Sequence, residues 1–539
     1  MRVRRLTELP LLMLAALLVL PVVAVFASWL QWDAASAQIL REMASTVLPG
    51  YAATSLVLCV GVGAGVALVG TGGAAAVTLF DFPGRRVFEW ALLLPLAMPA
   101  YVVAYAYTDF LQFGGPLQTM LRSRFGLEGR VFPEIRNAWG AAWVFVFSLY
   151  PYVYLLARTA LSERAAHLME AARLLGAPLA RRIVRVAVPL ARPAVAAGVA
   201  LALMETLADF GVASYFGIQT FSTGIYKAWL SMDNRIAAAQ LATLLLVVVA
   251  VLLAVESGAQ RRLRFVAGKD RASSVEKQPV RLHGAAAALA FGLCIFPILM
   301  GFVLPVVFML RPLAADWSVL PWDRFVGWAL NSLRLGAISA VLAVAIALLL
   351  AYSLRRAPDP LTRGVVRLAS LGYAVPGAVI VVGLLLPVGW LQQALPQSGA
   401  GYWVTATIAG IVWAYLVRFV SVALQSMQSG YARIPASLDD SARMLGAGGA
   451  GLLARVHWPL LKRSAAAAGL LVFVDVMKEL PATLVLRPFN SDTLAVVAYQ
   501  LARDERLGEA ALPSLALVLV GLIPVVLLSR TLRSASPRA

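Results

Sequence analysis

Twelve stretches of this 539-residue chain are almost wholly apolar, and each extends for about eighteen residues or more. A helix of that length crosses the roughly 30 Å hydrocarbon core of a bilayer. Hydrophobic residues make up 61% of the chain and charged residues 14%, against about 45–50% and 25% in a soluble domain. We therefore expect an all-α polytopic membrane protein of about twelve transmembrane helices, near residues 9–30, 52–79, 87–112, 138–159, 189–213, 236–256, 284–310, 328–354, 366–391, 402–424, 464–486 and 511–529.

The net charge of +19 comes from Lys and Arg residues in the segments expected on the inner side of the membrane, so we expect no nucleic-acid partner. Arg2, Arg4 and Arg5 precede the first apolar run, which places the N-terminus inside by the positive-inside rule. With the runs alternating from there, the segments on the outer side carry only twelve of the 46 Lys and Arg residues. Both termini are then cytoplasmic. The first run, about 22 residues long, is longer than the apolar region of a typical signal peptide, so we expect a retained first span.

A polar segment occurs twice in the chain, once in each half. In both copies an acid precedes a glycine by six positions, and a proline follows that glycine by thirteen. The first copy contains Glu170, Ala171, Ala172, Gly176 and Pro189, and the second contains Asp440, Ser441, Ala442, Gly446 and Pro459, each at a spacing of 270 from its counterpart. The repeat predicts two pseudo-symmetric six-helix halves, residues 1–256 and 284–539, joined by a basic cytoplasmic linker over residues 257–283.

The two halves do not match at a single offset. Pro99 matches Pro376 at a spacing of 277, seven more than the spacing of the repeated polar segments. We therefore expect about seven extra residues in the first half and place them in the charged segment 113–137.

Each polar segment predicts a short helix with an acid early in it, followed by a reversal at the glycine. A glycine just past a helix end favours the left-handed conformation, and a proline at the start of the next helix sacrifices no hydrogen bond. An amphipathic helix lying at the membrane surface is one interpretation. Two copies in one register favour a docking surface, because a surface helix requires no fixed acid, glycine and proline spacing.

Four acids lie inside the apolar runs that follow the two segments. Glu205 matches Asp475 and Asp209 matches Glu479 at the spacing of the repeated segments, and the two acids of each half are four apart on one helix face. An acid in mid-membrane costs about 2.5–3.5 kcal/mol on insertion scales, so these side chains are expected to face the protein interior. They either cap broken helices and pair with nearby Lys or Arg, or line a path as hard oxygen ligands for a cation.

The repeated segments resemble the EAA loops of binding-protein-dependent ABC importer permeases, with Asp440-Ser441-Ala442 departing from the pattern that Glu170-Ala171-Ala172 keeps. The resemblance implies the type I importer architecture and two coupling helices that dock on two ATP-binding subunits. The chain contains no GxxxxGK[ST] phosphate loop, which fits an ATPase on separate polypeptides. The chain is then a transport permease and no enzyme; it binds no cofactor, while ATP and Mg belong to the partner.

Two longer stretches look like the fused permeases of bacterial ferric-iron importers: Glu205 to Gly211 with Tyr215-Phe216-Gly217, and Met477 to Leu484 with Arg487-Pro488-Phe489-Asn490. That resemblance implies an inner-membrane protein, a periplasmic substrate-binding protein as partner, and transient Fe³⁺ contact at Glu205 and Asp475. Thiamine and polyamine importers remain alternatives, as do an ion-coupled secondary transporter and a membrane scaffold without transport. The three histidines have no spacing that suggests a metal site.

Overall fold

The computed structural model describes residues 2–31, 34–162, 166–267, 279–315, 317–318 and 320–534, and helices dominate them. Of Glu170 only the backbone is described, and residues 268–278 of the predicted linker 257–283 lie outside the described residues. A two-stranded parallel sheet pairs β1 (Phe80–Asp81) with β2 (Val280–Arg281). The α-helices up to that second strand are α1 (Arg2–Ala27), α2 (Ala34–Thr46), α3 (Leu48–Leu79), α4 (Arg85–Ala91), α5 (Ala100–Leu111), α6 (Pro116–Phe125), α7 (Ala138–Ala160), α8 (Ala166–Leu174), α9 (Leu179–Arg182), α10 (Val188–Ala208), α11 (Gly211–Tyr215), α12 (Phe221–Tyr226) and α13 (Arg235–Ala267).

The remaining helices follow the same order of long and short elements. They are α14 (Gly284–Ile298), α15 (Leu304–Ala315), α16 (Trp322–Arg356), α17 (Pro360–Ala369), α18 (Gly377–Ala394), α19 (Ala400–Thr405), α20 (Ile408–Tyr431), α21 (Ala436–Met444), α22 (Gly449–Gly451), α23 (Trp458–Lys478), α24 (Pro481–Leu486), α25 (Leu494–Arg503) and α26 (Leu507–Ser534). Short 3₁₀ or π-helical turns lie between them at Ser28–Leu30, Leu94–Ala97, Ile183–Ala187, Lys227–Ser231, Leu299–Val303, Gly372–Ala374, Pro396–Ser398 and Leu452–His457.

Fewer helices are able to span a membrane than the sequence predicts. Within the described residues, ten helices are long and apolar enough, or eleven if the pair Arg85–Ala97 and Ala100–Phe125, bent by 88°, is one broken span. The prediction of about twelve is confirmed to within one or two helices, and the predicted span without a qualifying helix is 464–486. There α23 combines Lys462, Arg463, Asp475 and Lys478 and ends at a break before α24, so it is too charged to qualify by composition.

The internal repeat is visible in the helix boundaries. Helices α10 and α23 are both 21 residues long, and their first and last residues are each 270 positions apart. The first residues of α7 and α20 are also 270 positions apart, the spacing of Gly176 and Gly446. Before them, Pro99 and Pro376 have the same backbone angles (φ −59°, ψ 143°), and α5 and α18 begin immediately after these prolines. Ala100 and Asn137 are 37 positions apart whereas Gly377 and Thr407 are 30 apart, so the extra seven residues lie in this interval.

The contacts divide the chain into two compact units, each of which combines parts of both sequence halves. The first unit contains residues 1–42, 224–246 and 321–497, and the second contains 43–223, 247–320 and 498–539. The predicted halves 1–256 and 284–539 describe the sequence repeat and stay a prediction at that level. In the first unit, α1 of the first half packs against α17 and α18 of the second half. In the second unit, α14 and α15 of the second half pack against α3 and α5 of the first half.

In the first unit, α1 packs along α18 through a close backbone contact. A side chain at Gly383 would collide with the carbonyl of Pro21, so only glycine fits at that position. Pro21 also lacks an N–H, which leaves the carbonyl of Leu17 without its helical donor. The indole Nε1 of Trp413 in α20 donates to that carbonyl at 2.8 Å, so the proline that breaks the hydrogen bond of α1 also creates its attachment point.

The second unit is built around α3, α7 and α10, which pack closely through small residues. Gly70 on α3 and Gly198 on α10 both approach the backbone of α7 around Val153, where an added Cβ would lie 2.7 Å and 2.6 Å from atoms of that residue. Helices α14 and α15 belong to the same unit, and Gly301 between them leaves no room for a side chain against the carbonyl of Phe147. Glycine at these positions allows the helices to pack this closely.

Candidate functional site: the repeated loops and the acids that follow them

The two repeated segments end their helices with the same cap. In the first, the N–H of Gly176 bonds to the carbonyl of Arg173 at 2.9 Å and that of Ala177 to Ala172 at 3.0 Å. In the second, the corresponding pairs are Gly446 with Arg443 at 2.9 Å and Ala447 with Ala442 at 3.0 Å. These are the paired bonds of a Schellman motif, with both glycines left-handed at φ +79° and +83°. The predicted turn chemistry is confirmed, and Pro189 and Pro459 each stand at the second residue of the next helix.

Both loops present large apolar side chains to solvent just before the glycine. Leu174 and Leu175 are 77% and 87% exposed, and Met444 and Leu445 are both 89% exposed. Ala171 is exposed and Ala172 half-buried on the helix that leads to the first pair, and Ser441 and Ala442 precede the second pair. Matched apolar pairs on polar loops are unfavourable in water, so the surface fits a partner that covers them.

The acid of the second loop is exposed. Asp440 is 72% exposed and pairs only loosely with Arg443, at 3.5 Å, which leaves its carboxylate oriented toward solvent. The role of Glu170 and Asp440 in docking stays a prediction.

The neighbouring acid Asp439 is buried and fixes the second loop in place. Its side chain is 7% exposed, accepts from Nε of Arg355 at 2.9 Å and lies 3.1 Å from Nε2 of His457. Burial alone would raise the pKa of Asp439, but the hydrogen bonds from Arg355 and His457 outweigh it and hold the pKa below its ordinary value. Arg355 also donates to the carbonyls of Ile434 and Pro435, so the end of α16 grips the start of the loop.

His457 completes this anchor from the other side of the loop. It is fully buried, and the hydroxyl of Tyr431 lies 3.3 Å from its Nδ1. The ring of Tyr352 packs edge-on against it, and the Tyr352 hydroxyl donates to the carbonyl of Gly449 at 2.8 Å. We refer to Asp439, Arg355, His457, Tyr431 and Tyr352 as the loop anchor.

The first loop has no equivalent charges at the matching positions. Met169 and Ala187, both buried, are the counterparts of Asp439 and His457 in the repeat, and Leu161 is the counterpart of Tyr431. The two loops therefore share their cap and exposed apolar pairs but differ in how they are mounted. Sequence comparison of the loops missed the anchor because its members are not repeated between the two halves. The available signal was Asp439 and His457, whose counterparts in the first half are Met169 and Ala187.

Two of the four intramembrane acids cap the helices that begin after a break. Asp209 ends α10 and its Oδ1 accepts from the N–H of Val212 in α11 at 2.8 Å. Glu479 ends α23 and accepts from the N–H groups of Ala482 and Thr483, both at 2.9 Å. The matched positions thus perform one local task, to satisfy the exposed donors of a short helix.

Glu479 is further enclosed by charge and hydroxyl contacts. Its side chain is 2% exposed and lies 3.6 Å from Nη1 of Arg418. The hydroxyl of Thr483 donates to Glu479 at 2.6 Å and is itself 2.6 Å from the hydroxyl of Tyr415. For Glu479 the geometry favours the structural alternative of helix cap and ion pair.

Glu205 and Asp475 lie half-buried one turn earlier on α10 and α23. Asp475 interacts electrostatically with Lys478 on the same helix. Among the described residues, no three His, Cys, Asp or Glu side chains are grouped to hold a metal ion. The predicted Fe³⁺ contact at Glu205 and Asp475, and a path lined by the four acids, stay predictions.

The apolar helices make the chain an all-α polytopic membrane protein, and comparison with known proteins relates it to transport permeases. Residues 68–263 match the family described as binding-protein-dependent transport system inner membrane component. The chain is 26% identical over 479 residues to the Fe(3+)-transport system permease protein FbpB 2 of Haemophilus influenzae, covering 88% of each chain. It is 23% identical to the ferric transport system permease protein FbpB of Actinobacillus pleuropneumoniae, covering 92% of this chain and 73% of that one.

A third relative, a probable ABC transporter permease y4fN of Sinorhizobium fredii, is 24% identical over 87% of this chain and 84% of its own. These matches continue through the second half, beyond the region that the family model covers. The chain is therefore similar to transport permeases over most of its length.

Proposed function

We propose that this chain forms the translocation pathway of an ATP-driven importer for ferric iron in a bacterial inner membrane. Two separate ATPase subunits dock on the loops at 170–189 and 440–459, and a periplasmic binding protein delivers the cargo on the other side. Both termini and both loops are cytoplasmic in this arrangement, in accord with the basic residues of the inner segments. ATP and Mg act in the partner subunits.

The observation that carries the proposal is the matched pair of loops. Each has a left-handed glycine, a Schellman cap and two exposed apolar side chains at the same positions. A rigid, apolar, twice-repeated surface is suited to bind two copies of one partner. Ferric iron as cargo is supported by the names of the two FbpB relatives that match most of the chain.

Uptake of radioactive iron by proteoliposomes tests the whole proposal. The chain is reconstituted with the ATPase and binding protein of its own organism, and ATP is supplied on the side of the loops. We expect iron accumulation that needs ATP and persists when ionophores collapse ion gradients. Uptake driven by an ion gradient without ATP would instead identify a secondary transporter, and uptake of thiamine or spermidine in place of iron would contradict the cargo.

The docking assignment has its own test in the double substitution Glu170→Lys with Asp440→Lys. Reversal of both charges should release the ATPase from the purified complex while the permease keeps its thermal stability, since Asp440 is exposed and only weakly paired. Glu128→Lys with Asp504→Lys is the matched control, because both acids are exposed, lie outside the loops and change the net charge equally. Stoichiometric ATPase on the double variant contradicts docking at these loops.

A further inference from the structure

Four buried tyrosines lie on or near the short helix α11, which Asp209 caps. Tyr101 and Tyr105 lie on α5, Tyr215 on α11 and Tyr499 on α25, all within the second unit. Tyr105 is within electrostatic range of the other three tyrosines and of Asp209. We propose that the hydroxyls of Tyr105, Tyr215 and Tyr499, with the carboxylate of Asp209, form a transit site for Fe³⁺, an inference that rests on the proposed function.

The rings are held at short distances by direct contacts. The ring centroids of Tyr101 and Tyr105 are 5.6 Å apart, and those of Tyr105 and Tyr215 are 4.7 Å apart at 74°. The hydroxyl of Tyr499 is 2.7 Å from that of Ser214, the residue before Tyr215. Each of the four tyrosines is at most 7% exposed, so the group lies inside the protein.

The elements that carry the cluster are discontinuous. Helix α5 begins after Pro99, where the chain bends by 88°, and α11 begins after the break at Asp209. At membrane depth, broken backbone is stable only where protein or an internal cavity surrounds it. In secondary transporters, substrate sites are typically formed by broken helices of this kind.

The hydroxyls of Tyr105 and Tyr215 have no hydrogen-bond partner among the described residues. Tyr105 is 2% exposed, and its oxygen makes no hydrogen bond among the described residues. A buried hydroxyl without a partner is destabilising, because it loses its bonds to water and gains none. A ligand that binds this oxygen would compensate for that loss.

The donor set fits a hard trivalent cation. Phenol and carboxylate oxygens are hard ligands, and tyrosine oxygen is an established protein ligand of ferric iron. Each phenol that binds the ion loses its proton to water, so the bound ion meets anionic oxygen. A guanidinium also lies near, Arg136 at 5.0 Å from the Tyr215 ring centre, but Glu505 pairs with it at 2.9 Å and balances its charge.

The second half is built differently at the same positions. Val382 is the counterpart of Tyr105 at the spacing of Pro99 and Pro376, and Val485 is the counterpart of Tyr215 at the spacing of the two loops. The acid of the second half, Glu479, is enclosed by Arg418 and Thr483. The helix-capping acid is thus present in both halves, whereas Tyr105 and Tyr215 have valines as counterparts in the second half.

The test removes single oxygens. Tyr105→Phe keeps the ring and deletes only an unpartnered hydroxyl, so the variant is expected to fold at least as well as the parent. Its matched control is Tyr150→Phe, on α7 of the same unit: that hydroxyl is also buried and unpartnered among the described residues, but its electrostatic neighbours are Tyr154 and Cys294. Asp209→Asn is the second variant, since an amide oxygen retains the cap to Val212.

In the reconstituted importer we expect Tyr105→Phe and Asp209→Asn to reduce iron uptake about tenfold, with ATPase binding and thermal stability unchanged. Tyr150→Phe should transport like the parent. In the purified permease–ATPase complex, Fe(III) nitrilotriacetate should give a visible phenolate-to-iron charge-transfer band that Tyr105→Phe weakens and Tyr150→Phe does not.

The outcomes separate the two proposals. If the parent transports iron and Tyr105→Phe transports it equally well with no change in the band, the transit site is wrong and the importer stands. If the parent moves thiamine or spermidine and no iron, the proposed function fails and the cluster is then an aromatic cage for an organic cation. Loss of transport in Tyr150→Phe as well as Tyr105→Phe would show a packing effect and also overturn the site.

Discussion

At the residue scale, acids at matching positions of the repeat have different surroundings in the two halves. An acid outside the repeated motif, Asp439, is more deeply buried than the motif acid beside it. Glu479 caps α24 and pairs with Arg418, whereas Asp209 caps α11 beside a group of tyrosines. Asp439, one position before the motif acid Asp440, is the residue that is buried and triply contacted. Equivalent positions in the two halves therefore have unequal surroundings, and the surroundings decide their chemistry.

The loop anchor gives a prediction at this scale, through Asp439→Asn. Near neutral pH the substitution should lower the free energy of unfolding by about 1–3 kcal/mol, because the amide leaves Arg355 without its charge partner. A depressed pKa means that Asp439 stabilises the fold fully above its unfolded pKa of about 3.9 and loses that effect as the pH falls through the lower folded value.

The difference in thermal midpoint between parent and Asp439→Asn should accordingly be constant above about pH 5 and narrow below about pH 4. Thermal unfolding in detergent across that pH range measures it. Asp440→Asn is the control, since Asp440 is exposed and should change the midpoint little at any pH. A difference that stays constant to about pH 3 would mean that the charge of Asp439 is irrelevant to the anchor.

At the element scale, the working unit is a loop helix, a left-handed glycine and a long helix that runs back into the membrane. The glycine fixes the direction of the reversal, since a Cβ is disfavoured at φ near +80°. The long helix then leads from the loop to the acid cap: α10 ends at Asp209, and α23 ends at Glu479. Each loop is thereby joined through one long helix to the broken segment that follows.

Gly446→Ala tests the left-handed cap of the second loop, because the added methyl group would not collide with any neighbouring atom. A Cβ at Gly446 would have no atom within 4 Å, so the cost is the left-handed backbone alone, about 1 kcal/mol. If the ATPase binds the preformed cap, its affinity for the permease should fall about fivefold, and Gly176→Ala should act likewise. Surface plasmon resonance with the isolated ATPase measures this.

Gly448→Ala is the matched control in the same loop. Its φ is −71° and a Cβ there also meets nothing within 4 Å, so alanine is tolerated in that conformation. ATPase affinity reduced as strongly by Gly448→Ala as by Gly446→Ala would contradict the role of the left-handed turn.

At the scale of the whole molecule, each compact unit joins helices from opposite ends of the chain. In the first unit α1 is attached to α18 and α20 by a glycine contact and by one hydrogen bond to the carbonyl that Pro21 leaves open. A single chain favours this packing of helices from both halves. The helices that contact each other are covalently linked and are always present in equal number.

Trp413→Phe tests that attachment. The ring volume is largely kept, but the Leu17 carbonyl loses its donor, which we expect to cost about 1 kcal/mol and to make the first helix more accessible to protease. Trp403→Phe, at an exposed tryptophan on α19, serves as control and should leave both properties unchanged. Equal protease sensitivity in the two variants would mean that the indole bond does not hold α1.

The sequence by itself determined the features that are local in the chain: the apolar helices, the paired loops, their left-handed glycines and the constant spacing of the matched acids. Hydropathy, helix propensity and turn chemistry act over a few residues, so they can be read without the fold. The predicted span 464–486 is the exception in hydropathy, because α23 carries four charged residues.

Only the tertiary structure decided which partners these residues meet. The bond from Trp413 to Leu17, the anchor of Asp439 with Arg355 and His457, and the grouping of Tyr105, Tyr215 and Tyr499 each join residues far apart in sequence. Such contacts arise when whole helices pack to bury their surfaces, and no local pattern specifies them. The sequence therefore identified the two loops and the acids that follow them. The packing of the helices gave the two copies different contacts.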